Sequence, residues 1–274
     1  MPSIQVTNWT KKIYRNIRKV LRFGEQSTIA QANRVAEMSK RVSLLLDKVY
    51  QNMPLAVLNG PFKGISYVEI ACGSQLLPKL VGSYEEPIHR WIYHILEEAE
   101  YSFIFDVGCA EGYYAIGLCK ARSHPFVCAY DIDLHALSNA KELAAKNGVS
   151  ESISFGEYFD PKTLDLVRAK HPGQKILIFM DVEGAEIDLL NTLDFPSVLE
   201  CDVLVELHDC FKANLTEKIV EYFAKTHKIE IVFDYPWRNG DYFLNGATLT
   251  PEELEFIVDE KRPPAMRWMY ARIA

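Results

Sequence analysis

Short apolar runs alternate with segments of helical periodicity from residue 101 onward, and this alternation constrains the fold more than any other feature. Strand-like runs at 101–107, 125–130, 152–155, 175–180 and 201–207 each precede a helical pattern, at 112–121, 134–146, 161–170, 185–193 and 215–226. A helix between two strands carries the chain back to the same end of the sheet, so the strands pair in parallel. The pattern therefore predicts a parallel sheet with helices on both faces.

The end of the chain departs from this alternation. A strand at 228–233, a helix at 252–259 and a last strand near 268–273 indicate a hairpin-like return at one edge of the sheet. No internal repeat or low-complexity tract interrupts the pattern. We therefore expect an α/β fold built on a doubly wound, seven-stranded, Rossmann-like sheet.

Three segments are predicted: an N-terminal helical extension at 1–59, a cover or hairpin with an entry helix at 60–98, and the main domain at 99–274. Basic residues without any acid predict a basic amphipathic helix at 9–22, and a second helix follows from Val35 to Val49. We favour packing of the basic helix on its own domain. Contact with an anionic membrane or an acidic partner, and a homodimer through the helical pair, are the alternatives.

Composition argues against a nucleic-acid-binding protein, a cysteine-based metal or disulfide framework, and a membrane-spanning protein. The net charge of -7 disfavours nucleic acid as the main partner, because phosphate binding usually needs a basic surface. The cysteines show no CxxC or Cys/His spacing, so we expect reduced thiols in a cytoplasmic protein. No apolar run approaches the ~20 residues that cross a bilayer, and the N-terminus does not look like a secretory signal.

The first strand of the alternating region ends in a glycine-containing turn from Asp106 to Gly112. Gly108 and Gly112 allow the backbone to fold tightly and to approach a ligand at the start of the next helix. Asp131 ends the second strand about 20 residues later, the interval at which an acid contacts ribose hydroxyls. Ala110 occupies the third position of a GxGxxG pattern, and this argues against a nicotinamide dinucleotide.

Further cofactor contacts follow from position at the strand ends. Asp106 is a candidate to receive an ammonium group of the ligand, because a carboxylate suits a cationic donor. Glu157 and Tyr158 follow the third strand, where an adenine-facing polar group and a stacking surface would lie. Together with the turn and Asp131, these residues form the predicted cofactor site.

Ionisable residues crowd the ends of the fourth and fifth strands. Met180 is followed by Asp181-Val182-Glu183-Gly184-Ala185-Glu186, and Val205 by Glu206-Leu207-His208-Asp209. These two elements resemble the FkbM family of S-adenosylmethionine (SAM)-dependent methyltransferases, whose Asp-Val-Glu-Gly-Ala-Glu and Glu-x-His motifs are matched at 181–186 and 206–208. The resemblance covers residues 101–210. It implies SAM as the cofactor and O-methylation of a hydroxyl on a small molecule, sugar or natural product.

Methyl transfer to a hydroxyl needs an aligned acceptor and a group that takes its proton. His208 is the predicted general base, because an imidazole with an ordinary pKa near ~6.5 accepts a proton at neutral pH. Glu206 would lie on the same face of its strand as His208 and orient the imidazole. Asp181 is predicted to lie between donor and acceptor and to contact the cofactor.

The same residues and fold also allow a metal site or a different function. Asp181, His208 and Asp209 could bind a divalent cation that polarises the hydroxyl, although their spacing is no metal motif and we predict no metal. An NAD(P)- or other nucleotide-dependent enzyme would use a similar sheet. A SAM-binding interaction protein without catalysis is the third possibility.

Overall fold

The computed structural model describes residues 29–235, 238, 240–262 and 266–274, and the predicted basic helix at 9–22 lies outside them. Its strands form one seven-stranded sheet in the order β3-β2-β1-β4-β5-β7-β6. They are β1 (Phe103–Val107), β2 (Phe126–Tyr130), β3 (Ile153–Gly156), β4 (Ile176–Met180), β5 (Asp202–Leu207), β6 (His227–Asp234) and β7 (Met266–Ile273). The predicted doubly wound, Rossmann-like fold is confirmed.

Helices connect these strands and cover both faces of the sheet. They are α1 (Ile29–Tyr50), α2 (Leu76–Val81), α3 (His89–Glu97), α4 (Tyr113–Cys119), α5 (Leu134–Lys146), α6 (Thr163–Lys170), α7 (Glu186–Leu189), α8 (Leu215–Phe223) and α9 (Pro251–Val258). Within the described ranges, no helix has the length and apolar character needed to span a bilayer.

The two faces of the sheet are filled by two hydrophobic clusters. Successive side chains of a strand point to opposite faces, so Ile104 of β1 joins one cluster and Phe105 joins the other. Leu177 and Ile178 of β4 divide in the same way. Because both faces are covered, the central strands are apolar along their whole length, which is the pattern that the sequence shows.

Strand order locates the ligand crevice. The chain runs from β1 through β2 to β3 on one side of the sheet and from β4 to β5 on the other, so the order reverses between β1 and β4. Val107 pairs with Met180 in the parallel register, and the residues after each strand emerge side by side. Ligands of open α/β sheets bind outside the carboxyl ends of the strands at this reversal. β7 lies antiparallel between β5 and β6, as the predicted return at the sheet edge requires.

The segment before β1 packs over this carboxyl edge. It contains an isolated antiparallel bridge between Ala56 and Ser66, followed by α2 and α3. Val49 of α1 and Leu80 of α2 belong to the same hydrophobic cluster as Ile116 of α4. The predicted segments therefore share one core in the described part of the chain. Their boundaries and the homodimer stay predictions.

Helix α7 is shorter than predicted, ending at Leu189 instead of residue 193. Asn191 explains the difference, because its side-chain oxygen accepts a hydrogen bond from the backbone N–H of Leu193 at 3.0 Å. This local bond competes with helical hydrogen bonding. A 3-10 turn, Pro196–Glu200, then leads into β5.

Candidate functional site

The glycine-containing turn brings the end of β1 against the end of β4. Gly108 has a φ of 88°, and a Cβ atom there would lie 1.7 Å from the carbonyl oxygen of Asp181. Gly112 has a φ of 93°, and a Cβ there would lie 2.5 Å from Ile116 Cδ1. Ala110 also has a positive φ, of 47°. Both conformation and space therefore require glycine at 108, whereas at 112 the positive φ favours glycine and the close atom is the end of a flexible side chain.

Asp131 braces the turn from β2. One carboxylate oxygen accepts a hydrogen bond from Ala110 N at 2.8 Å, and the other accepts one from Asp133 N at 2.8 Å. Burial raises the pKa of Asp131, and the charge of Asp133 adds to this shift, while the two backbone hydrogen bonds lower the pKa. Asp133 itself caps α5 by accepting from His135 N at 2.8 Å.

Asp106 is buried in β1, with 1% of its surface exposed. Its Oδ2 atom is buried and has no hydrogen-bond partner. Burial, followed by the charges of Asp131 and Asp181, raises the pKa of Asp106 well above its ordinary value. A positively charged group on a ligand would satisfy this oxygen and offset the repulsion.

A cavity of about 200 Å³ lies at this edge, between the turn and the segment before β1. Among the predicted cofactor residues, Asp106, Gly108, Ala110, Asp131 and Asp181 line it. Its wall also includes residues outside the predicted cofactor-binding set: Cys72, Gly73, Ser74, Lys79, Tyr84, Cys109, Tyr113, Tyr114, Asp133, Ala136, Phe179 and Glu183.

Other predicted residues lie outside the cavity wall. Gly112 is the residue immediately before α4, and Tyr158 packs against the hydrophobic cluster that contains Phe105. Glu157 is half-buried at the end of β3 and does not line the cavity either. Their roles in cofactor binding stay predictions.

A buried ion pair joins the cover to the turn. Lys79 of α2 donates to Glu111 Oε1 at 2.5 Å, and both side chains are buried. Tyr67 donates its hydroxyl to the same oxygen at 2.5 Å, and Cys72 N donates to Oε2 at 2.9 Å. Burial raises the pKa of Glu111, but Lys79 and these hydrogen bonds outweigh burial and hold the pKa below its ordinary value.

His208 lies just beyond β5, surrounded by carboxylates. Its Nδ1 is 2.5 Å from Glu186 Oε1. Its Nε2 is 3.5 Å from Asp181 Oδ1, 3.5 Å from Glu183 Oε2 and 3.4 Å from Glu206 Oε2. The structure thus brings the predicted catalytic residues together. Glu186, the last residue of the motif at 181–186, is an additional partner outside the predicted catalytic set.

The electrostatics of His208 bear on its predicted role as general base. Burial lowers the pKa of His208, but the hydrogen bond to Glu186 and the nearby carboxylates of Glu206 and Asp181 outweigh burial and raise the pKa to about 12. The imidazole therefore carries a proton at neutral pH and is not free to accept another. Burial, together with the charge of Glu206, raises the pKa of Asp181 to about 8.

Asp209 does not belong to this cluster, so its inclusion in the alternative metal site was wrong. Its carboxylate accepts from Thr216 N at 3.1 Å and from the Thr216 hydroxyl, and it pairs with Arg267 at 3.2 Å. Asp209 therefore stabilises the start of α8. Adjacent residues at a strand end project in different directions, so sequence proximity to His208 was misleading.

Arg262 links the carboxylate cluster to the cover. Its guanidinium hydrogen-bonds Glu206 and Glu85, and it lies 2.8 Å from Glu260 and 3.2 Å from Asp234. All four carboxylates are buried. Glu85 precedes α3, so Arg262 holds the cover, β5 and the β6–β7 hairpin together.

Comparisons with known proteins are distant. No family model matches the chain, and no curated protein matches it. It is similar to a precorrin-6y C5,15-methyltransferase from Geobacter metallireducens (11% identity, 77% of this chain and 95% of that chain, TM-score 0.46). It is also similar to an rRNA methylase from Streptococcus thermophilus (14% identity, 69% of this chain and 97% of that chain, TM-score 0.44). A third similar structure is the O-methyltransferase TomG from Streptomyces achromogenes in complex with SAM (11% identity, 70% of this chain and 80% of that chain, TM-score 0.42). Likeness at this distance identifies neither reaction nor acceptor, and membership of the FkbM family stays a prediction.

Proposed function

We propose that the chain is a SAM-dependent methyltransferase. The main support for this proposal is the excess of acidic side chains on the cavity wall. Its carboxylates are Asp106, Asp131, Asp133, Asp181 and Glu183, whereas its ammonium group, on Lys79, is already paired with Glu111. SAM bears a sulfonium and an ammonium against one carboxylate, so its net positive charge suits this wall. A dinucleotide would bring a pyrophosphate into the same negative field.

The arrangement supports a definite placement of the donor. The ribose hydroxyls would meet Asp131, whose oxygens can accept further hydrogen bonds beside those from the backbone. The ammonium group would meet the unpartnered Oδ2 of Asp106. Gly108 and Ala110 would lie under the amino-acid chain, and Glu157 and Tyr158 remain the proposed adenine contacts.

For the reaction, we propose that Asp181 receives the proton of the acceptor hydroxyl. Burial and the charge of Glu206 raise the pKa of Asp181 to about 8, and the sulfonium of bound SAM would lower this pKa and favour the carboxylate that accepts the proton. Asp181 lines the cavity, whereas His208 and Glu206 are buried behind it. The acceptor oxygen would attack the methyl carbon as the carbon–sulfur bond breaks, releasing S-adenosylhomocysteine. His208 and Glu206 would hold Asp181 in position. Their part is therefore positioning, and the base is a carboxylate.

The finer proposal is O-methylation of a hydroxyl on a small molecule, sugar or natural product. It rests on the motifs at 181–186 and 206–208 and on the resemblance to the FkbM family. The net charge of -7 agrees with a small acceptor rather than nucleic acid. A nucleotide-dependent enzyme and a SAM-binding protein without turnover are the competing functions.

Calorimetric titration of the full chain with SAM, S-adenosylhomocysteine and NAD tests the cofactor. We expect SAM to bind, the uncharged-sulfur product to bind less tightly, and NAD to give no heat of binding. Tight NAD binding without SAM binding would refute the proposal.

Labelled methyl transfer to a panel of phenols and sugars then tests turnover. Asp181→Asn should abolish transfer while retaining SAM binding, and Asp165→Asn, on an exposed face of α6, is the control.

A further inference from the structure

The orientation of the His208 ring is set by a buried carboxylate. Glu186 is fully buried and lies 2.5 Å from Nδ1, so Nδ1 carries a proton and donates it to Glu186. The other nitrogen, Nε2, therefore faces away from Glu186 toward β4. A histidine that binds a metal ion commonly donates its second ring N–H to a carboxylate in this way.

The oxygens that Nε2 faces are close enough to one another and to Nε2 to share one cation. The separations from Nε2 to oxygens of Asp181, Glu183 and Glu206 are 3.4–3.5 Å. Charge-assisted hydrogen bonds are shorter, at ~2.7–2.9 Å. Adjacent ligand atoms around one cation lie about 3.0–3.4 Å apart when the metal bonds are ~2.1 Å. Ligand atoms of Asp181, Glu206 and His208 all lie within 4.8 Å of one another.

An unsatisfied oxygen provides a second observation. Asp181 Oδ1 is buried and accepts no hydrogen bond, although it lies 3.5 Å from Nε2. A buried carboxylate oxygen without a partner is costly, and a bound cation would remove this cost. Asp181 also lines the cavity, so a cation could enter from that side.

We propose that Asp181, Glu206 and His208 form a binding site for a hard divalent cation, with Glu186 fixing the histidine. The cation would displace the proton from Nε2, while Nδ1 would keep its proton in the hydrogen bond to Glu186. One imidazole with carboxylate oxygens suits Mn²⁺, since carboxylates favour Mg²⁺ and Mn²⁺ and imidazole favours transition metals. The site does not depend on the proposed methyl transfer. Asp181, the proposed base, would then also be a ligand of the cation.

Titration of the chelator-treated full chain with MnCl₂, without SAM or any acceptor, tests the site. Calorimetry and the loss of the free Mn²⁺ signal in electron paramagnetic resonance should give one ion per chain. Glu206→Gln and His208→Gln should each weaken binding by at least about tenfold. Asp209→Asn removes a neighbouring charge outside the cluster and should bind Mn²⁺ like the unaltered chain.

Circular dichroism establishes whether each variant is folded. A second measurement needs no variant: pulsed electron paramagnetic resonance of the Mn²⁺-loaded chain should show coupling to a directly bound imidazole nitrogen. Absence of that nitrogen coupling would overturn the proposal. So would Mn²⁺ affinity that is equal in the unaltered chain and in folded Glu206→Gln. Neither outcome bears on SAM binding, which is measured separately.

Discussion

Asp106, Asp131 and Asp181 lie at the carboxyl ends of three neighbouring strands, yet their partners differ. Asp131 holds two backbone N–H groups, whereas Asp106 Oδ2 and Asp181 Oδ1 have no hydrogen-bond partner. Residue type and position therefore do not by themselves define a role. Because both of these residues line the cavity, we expect their unsatisfied oxygens to be the ones that meet a ligand.

Asp131→Asn tests the ribose contact. The amide retains an oxygen for the backbone N–H of Ala110 but loses the negative charge that accepts both ribose hydroxyls. Hydrogen bonds to a charged group contribute about 1.5–3 kcal/mol, so SAM should bind at least about tenfold more weakly. Calorimetric titration measures this, with Asp165→Asn as the control. Unchanged SAM affinity in the folded variant would remove Asp131 from the site.

Lys79→Met tests the buried ion pair with Glu111. The substitution leaves the Glu111 carboxylate buried without its cation, and breaking a buried pair costs about 3–5 kcal/mol. Urea denaturation followed by circular dichroism should show this loss in the free energy of unfolding. The double variant Lys79→Met/Glu111→Gln removes both charges and should recover part of the stability. A single variant as stable as the unaltered chain would contradict the argument.

At the level of elements, the site depends on how closely the β1 turn approaches the end of β4. Gly108 permits that approach, and the hydrogen bond from Asp181 N to Val107 O at 2.9 Å joins the two segments. A side chain at this turn would separate the strand ends that form the cavity. The packing of two elements, and not the turn alone, therefore makes glycine necessary.

Gly108→Ala and Gly148→Ala separate packing from conformation. Both glycines have positive φ, so alanine incurs roughly 1–2 kcal/mol of backbone strain at either position. A Cβ at Gly148 meets nothing within 4 Å, whereas a Cβ at Gly108 meets backbone at 1.7 Å. Gly108→Ala should therefore be less stable than Gly148→Ala by a further ~1–3 kcal/mol in urea denaturation. Equal losses would show that the turn and β4 separate readily.

At the scale of the molecule, buried ion pairs of Arg262 connect the cover to the edge of the sheet that contains β6. Arg262 precedes β7 and reaches Glu85 of the cover and Glu206 of β5. Arg262 thus connects the cover to the carboxylates around His208.

Arg262→Met should destabilise the protein strongly, because it leaves a group of buried carboxylates without their cation. The expected cost is about 3–5 kcal/mol, measured by urea denaturation. Arg272→Met, within β7, is the control, since Arg272 pairs with Glu230 where both side chains are more than a quarter exposed. Its loss should stay below about 1 kcal/mol. Comparable losses in the two variants would argue against a structural role for the Arg262 network.

The sequence by itself determined the elements that local pattern specifies. Alternating apolar runs defined the order of strands and helices, and the glycines and Asp131 marked the carboxyl edge of the sheet. These features depend on short-range periodicity and on positions next to strand ends. The parallel sheet then followed from the helical connections between strands.

Only the tertiary structure decided which charged groups meet. Lys79 and Glu111 lie 32 positions apart and Glu186 and His208 lie 22 apart, so no local pattern reveals either pair. The pKa of His208 depends on these partners, so the ordinary value of an exposed imidazole does not describe it. Burial and electrostatic contacts arise only when the chain is packed. They decide which carboxylates of the motif surround His208 and how those carboxylates shift its pKa.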